Sequence, residues 1–464
     1  MAQRVPGYDS FPGSNSTCYR ITVDADVFRN YSVTQSRIGG VNPTNSDSGE
    51  IFIKLDWSAL AVDPSYSTAD VATRVVNSLL ATNFIPELAG RALVELPIHM
   101  IGHSRGGPLI TDLARHLGHQ GVWVDHITTL DPATIPEYGD LEVQLFANVL
   151  FADNYWQTNP DSTCPNGQSV AGAYNRYLTN LQNGYSCNHS DTHLWYHGTI
   201  DWAHTPITVD GATITSAERA AWWTSYESQG RMAGFYCSLI GGGNRLNPDE
   251  PAGAGNGRIP DGMNQRWDFG AGISTNRFSM ANNAAWPNLI KFDWETARTV
   301  VQGDVVSLRY FFQFGQTPFQ TAEVKVYLDN DANPYNGQLA QVFQVTEFGT
   351  GTNAVGQRQF FLETTNTVPG EYRVYAKITD STHTRYLPAP GKLVVKSATT
   401  LGIVQVGNDV VITWSTNAVG YLLESATNLF GLWSTVSPPP TIINGQNSVT
   451  TTMAGGNRFY RLKH

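Results

Sequence analysis

The sequence predicts an α/β domain, in which parallel strands are joined by crossover helices, followed by two all-β sandwich modules. Three patterns predict it. Over the first two hundred residues, short apolar runs alternate with runs whose apolar positions recur at helical spacing, the signature of layered strands and helices. Past residue 240 the texture changes to GGGNRLNPDEPAGAGNGRIPDG, a Gly/Pro/Asn-rich stretch that reads as a long loop or linker. From there on helical periodicity is lost, and short β-type runs separated by turn residues take over.

Each element has its own warrant. EIFIKLDW (50–57) reads as a strand, and the fifty residues before it hold one plausible strand, YRITVDADVF. STADVATRVVNSLLATNF follows, with Ser67 and Asp70 spaced as a capping box and Ala72, Val75, Val76, Leu79 and Leu80 on one helical face. LPIHMIG is the next strand. Pro108 suits the first turn of a helix whose apolar face carries Leu109, Ile110, Leu113, Ala114 and Leu117. VWVDHITTLD and NVLFAD read as two further buried strands, so a parallel sheet is expected. VVSLRYFFQF, AEVKVYLD, GEYRVYAKITD and GKLVVKS then fit a β-sandwich over 286–398, and GIVQVGNDVVITWS, GYLLESA and NRFYRLK a smaller β module over 399–464. Residues 1–285 are left as the α/β domain. Each module is expected to carry its own core, so a chain ending near residue 285 is expected to fold.

Composition narrows the function. The formal charge of the 464 residues is −10 and the 29 Lys and Arg are dispersed, which disfavours nucleic acid as a partner. No apolar run approaches the roughly 18 residues that span a bilayer, and the first ten residues lack a signal-peptide core. Low Lys content with abundant Asn, Gly and Thr fits an extracellular, secreted protein. The four cysteines (18, 164, 187 and 237) contain no CxxC pair; Cys164 and Cys187 flank a stretch that a disulfide would staple, and two free thiols are the alternative.

The chemistry concentrates around PIHMIGHSRGGPLI (97–110). Gly102 and Gly106 bracket Ser104 between an apolar strand and a helix, the arrangement that a sharp nucleophile turn requires. The amide of Arg105, at the helix N-terminus, is then placed to bind an oxyanion. A serine needs a general base, and the base needs an orienting carboxylate. Asp131 and Asp153 each follow a strand, and His189, His193, His197 and His204 lie downstream.

KLDW (54–57), GHSRGG (102–107), TLDPA (129–133) and CNH (187–189), in that order, resemble the pancreatic-lipase-like family of α/β-hydrolases and related secreted bacterial esterases. The resemblance covers roughly residues 45–205. It implies an α/β-hydrolase sheet and a carboxylic ester hydrolase, esterase or lipase, with Ser104 as nucleophile, Asp131 as acid and His189 as base. It also implies a small or lipid-like ester substrate, no cofactor and no metal. Asp153 rivals Asp131, and His193 rivals His189. One departure matters: the His-Gly loop that supplies a second oxyanion donor in this family is absent, and Gly39–Gly40 is the nearest substitute. The expected sheet is therefore short of its first strands, and a weak esterase favouring activated short-chain esters is expected.

Other clusters have competing readings. His189, Asp191, His193, His197 and His204 form a His/Asp run with zinc-ligand character, but zinc leaves the Ser104 turn unexplained. His116 and His119, near a helix end, are explained by the helix dipole. The aromatics of NYWQ, HLWYHGTIDW and AAWWTSYESQGRMAGFYC line either a substrate cleft or a core under long loops. Asp329, Asp331, Asn333 and Asn336 alternate as calcium ligands do, yet lack the EF-hand Gly and Glu, so an Asx-rich turn is preferred. The C-terminal β modules are candidates for contact with a surface or polymer. The contrasting class to an enzyme is an inactive α/β domain serving, with these modules, as an extracellular binding or adhesion protein.

Overall fold

The computed structural model describes residues 17–44, 51–158, 164–178, 187–199 and 286–463, the last with breaks of one to three residues, together with a few positions between 181 and 278. The Gly/Pro-rich stretch near 241–262 and His204 lie outside the described residues. The chain divides into two compact units. One comprises 1–298, 305–362 and 371–394, the other 299–304, 363–370 and 395–464.

In the first unit, β1 (Thr17–Ala25) pairs antiparallel with β2 (Tyr31–Gly40) and parallel with β3 (Ile51–Asp56). After the short α1 (Ser58–Ala61) comes α2 (Thr68–Leu80), whose capping box forms as its sequence predicts: the Ser67 side chain accepts from the Asp70 amide, and the Asp70 carboxylate accepts from the Ser67 amide. β4 (His99–His103), β5 (Val124–Leu130), β6 (Val149–Trp156) and β7 (Tyr174–Tyr177) form a parallel sheet in that order, with α3 (Gly106–His119) between β4 and β5. Val71, Ala72, Val75 and Val76 of α2 pack with Leu109, Ile110, Leu113, Ala114 and Leu117 of α3 in one buried cluster. α4 (Asn188–Gly198) follows, then the two-residue pair β8 (Thr208–Val209) and β9 (Ala212–Thr213).

The α/β-hydrolase fold class is corrected here. The parallel sheet β4–β7 has four strands and, among the described residues, one crossover α-helix, α3, while β1 to β3 make a separate sheet in which a second strand, β2, was not foreseen. The remaining named strands run mostly antiparallel, and strand outweighs helix. The physical reason lies after β6. Local periodicity announces each βα step but not how many steps join one sheet, and β7, an alternately exposed edge, is the last strand of this one.

The sandwich consists of β10 (Asn288–Trp294), β12 (Val305–Gln313) and β15 (Gly356–Glu363) in one sheet. The other contains β18 (Leu393–Lys396), β16 (Gly370–Thr379), β13 (Thr321–Asp329) and β14 (Ala340–Phe348), with β17 (Thr384–Pro388) beside β16. Alternation places Val306, Leu308, Tyr310 and Phe312 of β12, and Val324, Val326 and Leu328 of β13, in the core. This sandwich shares the first compact unit with the preceding domain. Arg385, 2% exposed, donates to the Trp123 carbonyl at 2.9 Å and to Asp125 at 3.1 Å. Asn288 accepts from the Trp123 amide and donates to the Gly121 carbonyl, while the Trp123 indole donates to Gln313.

The second unit includes β11 (Thr299–Val301) and a small sandwich. Its sheets are β19 (Gly402–Val406), β20 (Asp409–Ser415), β24 (Gln446–Thr452) and β23 (Thr441–Ile443), and β22 (Ser434–Thr435), β21 (Leu422–Ala426) and β25 (Phe459–Lys463). Ile412, Trp414, Leu423 and Val449 form its core. No helix among the described residues is long and apolar enough to cross a membrane.

Candidate functional site

Ser104 stands at the turn from β4 into α3 with φ +55°, a left-handed backbone that a non-glycine residue adopts only under constraint. The constraint is visible. The Ser104 amide donates to the Leu130 carbonyl, and its carbonyl accepts from the amides of Gly107 and Ala133. A Cβ at Gly102 would lie 2.2 Å from the Gly106 carbonyl oxygen, so the turn closes only because residue 102 has none. At Gly106 a Cβ would meet nothing within 4 Å, so the two bracketing glycines are not equivalent.

Asp131 directly follows β5 and is also left-handed, with φ +46° and no solvent exposure. One carboxylate oxygen accepts from the Gln157 amide at 2.8 Å, and the other lies 2.6 Å from His189 Nδ1. Gly167 packs against this carboxylate, where a Cβ would fall 2.0 Å from the oxygen that Gln157 holds. His189 lies in the first turn of α4, two residues after Cys187, which is bonded to Cys164. Of the two pairings left open for these cysteines, the disulfide is the one formed. Nδ1 of His189 is committed to Asp131, and among the described residues its buried Nε2 has no hydrogen-bond partner, Ser104 Oγ included.

His103, immediately before Ser104, was not singled out from sequence. Its Nε2 donates to the His189 carbonyl at 2.8 Å, and its ring lies 4.6 Å from that of His189 and 4.8 Å from that of His193. Burial pushes its pKa down to about 3, so it is a neutral donor that ties the first turn of α4 to the end of β4. Its place in the GHS run was the one available signal.

The rival acid is placed otherwise. Asp153, fully buried, accepts from Thr128 at 2.5 Å and Tyr155 at 2.8 Å and lies 2.9 Å from His126 Nε2. The His126 ring stacks on His99 with centroids 3.9 Å apart. The Arg105 guanidinium forms a bidentate bond to Asp140 at 2.7 and 2.8 Å and donates to the carbonyls of Ala61 and Tyr66. Only its backbone amide is thereby left for the site, among the first amides of α3, which have no intrahelical acceptor. Gly39 and Gly40 end β2, paired with Cys18 and Thr17 on the far side of β1 from β3.

Among the described residues no group of three or more His, Cys, Asp or Glu is placed to hold a metal ion. In the Asp329–Asn336 turn, Asp331 accepts from the Asn333 amide and the Asn336 side chain, while Asn333 accepts from the Tyr335 amide. His116 meets Thr73 at 3.1 Å, and burial with the neighbouring Arg115 lowers its pKa to about 4, against the charged form that a helix-dipole role needs. Of the aromatics, Tyr155, Trp195, Tyr196, Trp222 and Phe235 form a buried cluster. A cavity of about 460 Å³ lies away from Ser104, lined by Leu80, Glu95, Gln120, Trp286 and His383 among others.

No protein-family model matches the chain, and no curated protein matches it. The pancreatic-lipase-like resemblance is corrected by the sheets themselves, since the parallel sheet β4–β7 holds four strands and the other sheets are mostly antiparallel. Solved structures give short overlaps. The CARDB domain of a Pyrococcus furiosus protein in complex with di-metal ions is 12% identical over 25% of this chain and 99% of its own, with a TM-score of 0.17. A marsupial T cell receptor is 12% identical over 41% of this chain and 66% of its own, also at 0.17. A superoxide reductase (neelaredoxin) from Ignicoccus hospitalis is 12% identical over 25% and 81%, at 0.15. Scores this low carry no argument about this chain.

Proposed function

We propose that this chain is a serine carboxylester hydrolase in which Ser104 is the nucleophile, His189 the general base and Asp131 the orienting acid. The reading rests on a constellation rather than on a family, and such constellations recur on unrelated folds. The observation that carries it is the buried 2.6 Å contact between His189 and Asp131 at the end of β5, where the Leu130 carbonyl accepts from the amide of Ser104, itself held in left-handed backbone at a strand-to-helix turn. A structural histidine has no need of a neighbouring strained serine, whereas a nucleophile turn does.

In the proposed reaction, Ser104 Oγ attacks the ester carbonyl as His189 Nε2 takes its proton. Asp131 holds the imidazole with Nε2 free to accept and stabilises the imidazolium. The oxyanion is met at the N-terminus of α3 by the Arg105 amide, where the helix dipole also favours negative charge. Collapse expels the alcohol with the proton from His189, and water then repeats the sequence on the acyl-enzyme. The disulfide supports an extracellular setting.

A p-nitrophenyl ester series of rising acyl length tests the proposal. Turnover by the wild type that falls by several orders of magnitude in Ser104→Ala is expected. No turnover at any chain length, or turnover retained in Ser104→Ala, refutes it.

A further inference from the structure

The second unit carries an apolar end that its core does not use. β19 leads into the 407–408 turn, β21 into 427–433, and β24 into 453–458. Register places all three connections at the same end, because Asp409 pairs with Thr452 and Ala426 with Phe459. Five large apolar side chains are exposed there: Phe430 and Leu432 at 98%, Val406 at 59%, Leu429 at 55% and Met453 at 45%. The turn bearing Phe430 is held, since Asn428 accepts from the Phe430 amide through its side chain and from the Gly431 amide through its carbonyl. In a chain of net charge −10, these three connections contain no acidic residue and one basic residue, Arg458.

We infer that this end docks on a lipid surface, which on the hydrolase reading would be the dispersed phase that presents the ester. A second protein is a poorer occupant, because a stable interface takes about 20–30 residues a side and five side chains on turns fall well short. A fluid apolar phase needs no matching shape, and it accepts protruding Phe, Leu and Met side chains one by one. Charge agrees, since Arg458 suits phosphate headgroups and Asp409, which opens β20 at this end, is only partly exposed.

The test is flotation of the full chain, as Ser104→Ala so that no turnover intervenes, with dioleoylphosphatidylcholine vesicles. Floating protein is expected, with at least about tenfold weaker partition in Phe430→Ser/Leu432→Ser. Both side chains lie outside the core, so an unchanged melting temperature is the control for folding. Failure of the parent to float overturns the inference, as does equal flotation of the double variant. A concentration-dependent dimer in place of flotation, lost in that variant, also overturns it and assigns the tip to a second copy. The vesicle assay reads no ester cleavage. Flotation without hydrolysis would therefore spare this surface and refute the enzyme, and hydrolysis without flotation the reverse.

Discussion

His189 Nδ1 lies 2.6 Å from Asp131 Oδ2 across 58 residues of chain, while Asp153, which also follows a strand of the same sheet, pairs with His126 instead. Asp131→Asn is therefore expected to cut turnover by about 10⁴-fold with near-normal folding, through loss of the imidazole tautomer. Asp153→Asn is expected to lower the melting temperature with little change in turnover per folded molecule, because Asp153 holds Thr128, Tyr155 and His126 in the core. The opposite pattern in active-site titration and melting would exchange their roles.

The two glycines around Ser104 separate on geometry. Gly102→Ala forces a Cβ to 2.2 Å from a backbone oxygen and should abolish activity or folding, whereas Gly106→Ala meets open space and should stay within about 1 kcal/mol of the parent. Denaturant melts of both variants decide it.

Arg105 is expected to divide by atom. Arg105→Ala strands the buried Asp140 carboxylate and should cost about 3–5 kcal/mol of stability. Its backbone amide persists in the variant, so the surviving folded fraction should retain turnover. Loss of turnover with no loss of stability would contradict this division.

Stability should fall on acidification. His103 stays neutral in the folded state down to about 3, while the unfolded chain takes up its proton near 6.5, so the unfolded state binds more protons between those values. Melting temperature is thus expected to drop as pH falls from about 6.5 towards 3, and His103→Gln should flatten that slope. A slope unchanged in the variant would assign it to other groups.

A chain cut after residue 285 is expected to aggregate or to lose its cooperative melt, contrary to the modular expectation from sequence. The cut bares Trp123 and leaves Asp125 without Arg385, both in positions that are now buried. A soluble, cooperatively melting fragment would restore the modular view.

What the sequence by itself determined was local. The Ser67/Asp70 box, the apolar faces of α2 and α3 and the turn at Ser104 were legible because each depends on residues a few positions apart, whose spacing reports directly on backbone geometry. Ser104, Asp131 and His189 became candidates through motifs of the same local kind, and the structure brings Asp131 to His189. Tertiary structure decided the rest. Which aspartate meets which histidine depends on the ends of β5 and β6 and on the tie from His103 to α4, and no local pattern encodes it. Strand patterns over 19–28 and 96–153 report that strands exist but not which join one sheet, so a parallel sheet of four strands looked like part of a larger one. The pairing of Arg385 with Asp125 crosses 260 residues, and it binds the sandwich to the preceding domain where composition alone had drawn a boundary. Burial of such a charge is favourable only when its partner is already in place, so this contact belongs to the folded whole and to neither segment alone.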